Sequence, residues 1–307
     1  MDPHLLRTYV TVARLASFSE AARELGYTQS AVSQHIAALE QDLGATLLTR
    51  RPVAPTPAGE RLLEHAGPLL LRLEAARAEV ARSAGEPAPG LTLATTATAL
   101  RRRTADALPA TGVTLCVLPR AEIPAAVATG AADLGLVDGL AAPTDPLRLP
   151  DVAPLTVRGV AEEPVSVLLP AAHPLARRAG LRLGDLVDAR WLDAPDAGVS
   201  LEQLRAAHGS AGAVGFRPAL RYEGGDLRTL VTLVGAGHGL ALLPSSLAAE
   251  SAVGGVAGGG AGATVAVPLT APRVVHRTEL LHSGVVRGPA AALAELMAGE
   301  RGDVTRS

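Results

Sequence analysis

Residues 17–44 hold two helix-forming units set end to end, each opened by a hydroxyl residue and closed by a glycine. Ser17 followed by Glu20 matches a capping box, in which the serine oxygen accepts a hydrogen bond from an N–H left free in the first helical turn. Ala21, Ala22 and Leu25 carry the short helix that follows, and Gly26 ends it because glycine takes the left-handed conformation at little steric cost. Thr28 is placed to cap the next helix, where Val32, Ile36, Leu39 and Leu43 recur at steps of four, three and four and make one buried face. The other face shows Gln29, Ser30, Ser33, Gln34 and Ala37, which are short and uncharged. Such a face suits a helix in the major groove of DNA, where base edges display a donor and acceptor code. Two helices joined by so tight a glycine turn make either a helix-turn-helix or the solvated corner of a helical bundle. Upstream, Leu5, Leu6, Tyr9, Val10, Val12 and Ala13 read as a first helix ending near Ala16.

After Gly44 come Leu47, Leu48, Thr49, Arg50 and Arg51, then Pro52 and Val53, which read as a short two-stranded wing with Arg50 and Arg51 near its tip. Guanidinium groups there would meet phosphates or a minor groove. Charge in bulk gives no such hint. The formal net charge is −2, residues 1–60 contain five arginines against six acidic residues, and the chain has no lysine. A nucleic-acid reading therefore rests on the motif and on where the arginines sit.

From Ala58 to about Ala84 the pattern is helical, and Leu62, Ala66, Leu69, Leu73, Ala76 and Val80 alternate steps of four and three. That seam fits pairing with a second copy or packing on the chain's own domain. Gly67-Pro68 within it predicts a kink or two helices meeting. The stretch 85–90, with Pro87 and Pro89, reads as a linker.

Beyond it, short apolar runs at 91–94, 113–118, 134–137, 165–169, 240–243 and 264–267 alternate with helical stretches at 98–108, 123–128, 201–207 and 227–234. Strands alternating with helices predict parallel α/β layers, here as two lobes in series. Ligands in such lobes bind at the carboxyl ends of strands and in the cleft between lobes.

The run from Phe18 to Leu25, the run from Thr28 to Ile36, then Leu39-Glu40, Leu43-Gly44, Leu47-Leu48-Thr49-Arg50 and Thr56-Pro57-Ala58-Gly59-Glu60, resembles the signature of LysR-type transcriptional regulators. The match continues more loosely through Gly130–Leu136, Leu168-Leu169-Pro170, His173-Pro174-Leu175-Ala176, Trp191-Leu192 and Gly235–Pro244, and so covers nearly the whole chain. It departs at the wing, which is shorter than usual and carries Pro55 where the family has an aliphatic strand residue, so weakened wing pairing is expected. The resemblance implies an α/β protein with an N-terminal all-α winged helix-turn-helix and a two-lobed, periplasmic-binding-protein-like effector domain. The expected boundaries are 1–60 for the DNA-binding domain, 61–88 for the linker helix and hinge, 89–163 plus 268–307 for lobe I, and 164–267 for lobe II. It also implies a homodimer or homotetramer on double-stranded DNA, with Gln29, Ser30, Ser33 and Gln34 toward bases and Arg50 and Arg51 toward phosphates. A small-molecule effector, to which an anionic group would be suited, is expected between the lobes. Thr95, Thr96 and Thr98 match the family's hydroxyl-bearing turn, which either holds the effector's carboxylate or caps the following helix. Asp138 and Asp193, in the 193–196 loop, are further candidates. Arg101-Arg102-Arg103 departs from an apolar family position and reads as a solvated helix face or as an attraction for an anion.

Other signals point away from chemistry. Gly235-x-Gly237-x-Gly239 follows a helix and precedes a strand, the wrong order for cradling a phosphate. The run 254–262 lacks the Lys-Ser/Thr ending of a P-loop, and no Gly-x-Ser-x-Gly run offers a nucleophile elbow. The eight histidines are scattered; His276 and His282 lie six apart on an expected returning strand, and His35 reads as exposed or as a contact to the DNA backbone. Cys116 on an apolar strand reads as a small buried hydrophobe and cannot form an internal disulfide. No cofactor is expected. There is neither an apolar run long enough to cross a membrane nor a basic start followed by an apolar core, so the expectation is a cytoplasmic protein that is not an enzyme. The rivals are a transporter's solute-binding protein, which the helix-turn-helix disfavours, and an enzyme acting in the cleft, which would need a convergent acid, base or nucleophile.

Overall fold

The computed structural model describes residues 1–84, 90–208, 215–254, 262–284 and 286–299. The expected linker at 85–89, most of the glycine-rich run and the last residues lie outside this range. The chain divides into two compact units, Met1–Ala81 and Arg82–Ser307.

The first unit contains α1 (Pro3–Leu15), α2 (Phe18–Leu25), α3 (Gln29–Leu43), β1 (Leu48–Arg50), β2 (Val53–Pro55) and most of α4 (Pro57–Ala84). The caps form as the local chemistry dictates. Ser17 Oγ accepts from Glu20 N–H at 3.2 Å, Thr28 Oγ1 accepts from Ala31 N–H at 3.2 Å, and Gly26 and Gly44 close their helices at φ 71° and 65°. Tyr9, Val12, Phe18, Val32, Ile36 and Leu39 meet in one core. Leu43 does not join them and is 42 % exposed. It is the last residue of α3, and past the glycine turn Leu47 and Leu48 fill the core instead, each 2 % exposed.

The short wing is fully paired: Leu48, Thr49 and Arg50 lie antiparallel to Pro55, Ala54 and Val53. Pro55 sits at the end of its strand, and the next residue takes up the pairing, with Thr56 N–H donating to Leu47 O at 2.9 Å. Side chains brace the rest. Thr49 Oγ1 lies 2.6 Å from Pro52 O and 3.1 Å from Ala54 O, and Thr56 Oγ1 donates to Thr46 O at 2.7 Å. Pro68 does not divide α4, which runs as one helix of 28 residues. Its early turns are held to the core by Leu62 and Leu63 and by buried Ala66, while the proline ring is exposed.

The second unit runs β3 (Leu91–Thr95), α5 (Arg102–Asp106), β4 (Val113–Val117), α6 (Ile123–Thr129), β5 (Leu134–Ala141), β6 (Thr156–Glu163), β7 (Val165–Pro170), β8 (Leu181–Arg182), a 3-10 turn (Leu183–Leu186), β9 (Arg190–Asp193), α7 (Leu201–His208), β10 (Arg217–Arg221), α8 (Leu227–Gly235), β11 (Ala241–Pro244), α9 (Ser245–Gly254), β12 (Thr264–Ala271), β13 (Val275–His282) and α10 (Gly288–Gly299). The helix expected over 98–108 is confined to five residues.

One lobe is a five-stranded sheet of order β4-β3-β5-β13-β6, and the other is built on a four-stranded sheet of order β11-β7-β12-β8. The expected parallel layers hold for β4, β3 and β5 and for the pairs β9–β10 and β8–β12, but β13 is antiparallel to β5 and β6, and β7 is antiparallel to β11 and β12. The extra strands return from distant sequence, where no local helix dictates a parallel crossover. The chain passes between the sheets twice, at Pro164 and at 272–274. Because β12 stays paired with β8 through Ala271, the return lies a few residues later than the expected 268. Trp191, fully buried, anchors the second lobe: its Nε1–H donates to Leu186 O at 3.1 Å and its ring meets Phe216 edge-on.

Candidate functional site

In the first unit, α3 presents Gln29, Ser30, Gln34 and Ala37 to solvent, with Ser33 half-buried beside them. The exposed face begins directly after the Thr28 cap, and Thr28 Oγ1 lies 3.0 Å from Ser30 Oγ, so the first turn is fixed. Arg50 and Arg51 are exposed at the wing tip, and the Arg50 guanidinium stands 5.0 Å over the Phe18 ring, which orients it. The six residues singled out from sequence are thus all on the surface of one unit. His35 is not an exposed contact: its Nδ1 lies 3.1 Å from Thr8 Oγ1 and its ring meets Tyr27 edge-on, bracing α3 against α1.

Glu40, which the motif did not single out, joins α3 to the wing. Its Oε1 accepts from Leu47 N–H at 2.8 Å and Leu48 N–H at 3.2 Å, tying the end of α3 to the base of the wing. A carboxylate hydrogen-bonded to backbone donors contributes about 1.5–3 kcal/mol. Glu40→Ala is expected to lower the unfolding free energy by about 2 kcal/mol and to raise wing amide exchange, measured by denaturation and hydrogen exchange. Wing exchange that stays unchanged would show that the strand pairing holds without it.

In the second unit, Thr95, Thr96 and Thr98, at and just after the carboxyl end of β3, come together with Asp138 of β5, all 5 % exposed or less. Their hydroxyls are already engaged. Thr96 Oγ1 donates to Asp138 Oδ1 at 2.6 Å and accepts from Ala99 N–H at 3.1 Å, and Thr95 Oγ1 donates to Thr96 O at 3.1 Å. His276 Nε2 lies 3.2 Å from Asp138 Oδ2. Burial pushes the Asp138 carboxyl up, but its bonds to His276, Thr96 and Thr98 outweigh this and hold it below the usual carboxylate range. The turn thus holds a carboxylate that belongs to the chain itself. Asp193 is elsewhere: it accepts from Leu201 N–H at 3.1 Å at the start of α7 and pairs with Arg221 at 2.9 Å.

The arginine run divides. Arg102 is solvated, but Arg101 is largely buried and pairs with Glu163 at 2.6 Å, contrary to a solvated face. Cys116 is half-buried rather than enclosed, because β4 is an edge strand. Among the described residues no group of three or more His, Cys, Asp or Glu side chains could hold a metal ion.

Between the lobes lies a cavity of about 840 Å³, lined from the first lobe by Arg120, Leu140, Asp145 and Arg148, from the second by Asp196, Ser200, Glu202 and Gln203, and at the return crossing by Arg273 and Val274. That volume is within the range of small-molecule sites. Arg120 lies three residues past the end of β4, and its guanidinium lies over Gly139 of β5. A Cβ there would fall 2.7 Å from Arg120 Nη1 and 3.0 Å from Gln203 Nε2. Sequence reasoning passed over Arg120, although a charged residue at the carboxyl end of an apolar strand was the available signal.

Two family models match the chain. One, described as "Bacterial regulatory helix-turn-helix protein, lysR family", covers residues 3–60, and the other, "LysR substrate binding domain", covers residues 84–257. The chain is 32 % identical over 246 residues to the small neutral protease regulatory protein of Streptomyces coelicolor, spanning 76 % of this chain and 70 % of that protein. It is 48 % identical over 85 residues to the transcriptional regulator HdfR of Yersinia enterocolitica, spanning 27 % of this chain and 29 % of HdfR. Among solved structures its fold is similar to that of CbnR, a LysR family transcriptional regulator, with a TM-score of 0.53 at 19 % identity over 97 % of this chain and 98 % of CbnR. CbnR complexed with its target DNA gives a TM-score of 0.52 at 20 % identity over the same shares.

Proposed function

Because this chain belongs to the LysR family of bacterial helix-turn-helix regulators, we propose that Gln29, Ser30, Ser33 and Gln34 read base edges while Arg50 and Arg51 hold phosphates. The chain is a DNA-binding transcription regulator with an effector-binding domain. The observation that carries the residue assignment is the exposed, uncharged face of α3, which starts at a fixed first turn and is flanked by two arginines. A recognition helix contacts bases mainly through its N-terminal residues, and neutral donors and acceptors discriminate there where long cations would bind any phosphate.

The heptad seam of α4 supports self-association. Leu69 and Val80 on it are 46 % and 70 % exposed, unlike Ala66, which is buried. A second copy covering that seam would place two recognition helices on the two halves of a palindromic site. The effector lies in the cavity between the lobes. It alters DNA binding only by favouring one arrangement of the lobes over another, so the protein acts by binding and not by turnover. Among the described residues no helix is long and apolar enough to cross a membrane, which fits a protein working on cytoplasmic DNA.

A footprint on the DNA upstream of the protein's own gene, at two salt concentrations, tests this reading. Two related protected halves on one face of the duplex are expected. Arg51→Ala is expected to weaken all sequences alike and to lower the salt slope, whereas Ser33→Ala is expected to lose about 1–3 kcal/mol of discrimination between specific and random DNA. Equal weakening of random DNA by both substitutions would refute the assignment of base readout to α3.

A further inference from the structure

The two walls of the inter-lobe cavity carry opposite charge. Arg120, Arg148 and Arg273 stand on the first lobe and its return crossing, against one acid, Asp145, while the second lobe contributes Asp196 and Glu202 and no cation. Resting on the reading of this cavity as the effector site, we propose that it takes a small zwitterion, a compact molecule carrying a carboxylate and a protonated amine, with the carboxylate on Arg120 and the amine toward Asp196 and Glu202.

The carboxylate has one well-prepared partner. The alternatives an anion would ordinarily use are filled: Asp138 occupies the threonine turn, and at the start of α7 the Leu201 and Gln203 amides donate to Asp193 and Ser200. Arg120 is different. A guanidinium offers five N–H donors, and among the described residues Arg120 makes one hydrogen bond, from Nη2 to Arg148 O at 3.3 Å. It is half-buried and its place over Gly139 is preset, so little side-chain freedom is lost when a carboxylate binds. Burial lowers its pKa, opposed by the nearby carboxylates of Asp138, Glu279 and Glu202, so the group stays charged in a partly dry setting where an ion pair is stronger than in water.

The rest of the cavity decides the other end of the ligand. A dianion would bring its second charge against Asp196 and Glu202, an uncompensated repulsion, whereas a protonated amine is attracted there. Between the poles the walls are small and aliphatic, with Pro119, Leu140, Pro146, Pro195, Pro272 and Val274, which suits a short carbon frame. α-Amino acids are the simplest molecules that place both groups on such a frame.

The test is a thermal-shift and calorimetry panel on the full-length protein. The probes are the common α-amino acids at millimolar concentration, the N-acetyl and carboxamide derivative of each, and succinate. At least one free amino acid is expected to stabilise the protein while both its derivatives and succinate fail. Arg120→Gln and Glu202→Gln are each expected to weaken that ligand by about tenfold or more, as for loss of a charge-assisted bond. Gly139→Ala would crowd the Arg120 guanidinium and the Gln203 amide out of their places, and is expected to weaken the ligand. Glu202 is exposed, so its variant answers even if Arg120→Gln folds poorly. Equal stabilisation by succinate or by an N-acetyl derivative, or none by any compound in the panel, would overturn the zwitterion and leave the cavity as effector site intact. A stabilising ligand indifferent to all three substitutions would instead overturn the cavity itself as the site.

Discussion

Trp191→Ala should lower the stability of the effector unit by about 3–5 kcal/mol, the cost of replacing a large buried aromatic by a methyl group. Trp191 is 0 % exposed and packs edge-on against Phe216, with ring centroids 5.9 Å apart at 76°. Its indole N–H satisfies Leu186 O, and its ring shares a core cluster with Leu183, Phe216, Leu240 and Leu242, so a single side chain ties the 3-10 turn, β9 and the strand entering β11. The substitution leaves a void and an orphaned carbonyl together, and both terms add. Denaturant unfolding followed by circular dichroism on the full chain should show the transition of the second unit shifted to lower denaturant and that of Met1–Ala81 preserved. Trp191→Phe should restore most of the packing and leave about 1 kcal/mol attributable to the lost hydrogen bond. A Trp191→Ala shift below about 1 kcal/mol would mean that the core around it collapses to fill the space.

Gly59→Ala should damage the other unit. A methyl group at this first-turn position of α4 would fall 2.2 Å from Leu47 O and 2.5 Å from Tyr9 Oη. The oxygen at Leu47 is backbone and already accepts from Thr56 N–H, so it cannot yield without moving the base of the wing. Tyr9 cannot yield easily either. It is fully buried in the core, and burial, with help from Glu60 and Glu40, pushes its phenol up to about 12. Overpacking of this kind costs about 3 kcal/mol, at the upper end of its usual range. Specific and random DNA should lose affinity together, because the wing and α3 share the displaced contacts. Calorimetric melting beside gel-shift titration measures both effects. A Gly59→Ala protein with unchanged melting and footprint would show that the start of α4 is slack.

What could be read from the residues alone follows physical range. The caps at Ser17 and Thr28 and the glycine stops were legible because each is settled within four residues of chain. Leu43 was misplaced because helical periodicity states which side a residue faces, and not whether a partner exists at that end of the helix. The wing formed despite Pro55, since Thr49, Thr56 and Glu40 supply side-chain bonds that strand propensity does not register. The hydroxyls of the threonine turn were legible and their bond to Asp138 was not, because Asp138 reaches Thr96 from 42 residues away. Arg120 was missed for a similar reason: its position depends on the absence of a side chain at Gly139, which is a fact about another strand.

The placement of β13 bears on how the protein is made. Among the described residues β6 pairs only with β13, and β13 also closes the open edge of β5. On a ribosome the segments that begin the first lobe emerge early and then wait, while β7 through β12 complete the four-stranded sheet of the second lobe around a contiguous stretch of chain. Only when Val275–His282 has been synthesised does the earlier lobe gain the strand that joins β6 to β5. The lobe that comes first in the gene is therefore the last to mature. A nascent chain exposes an unpaired β5 edge over most of the intervening synthesis, a vulnerability to misassembly that a contiguous lobe order would have avoided.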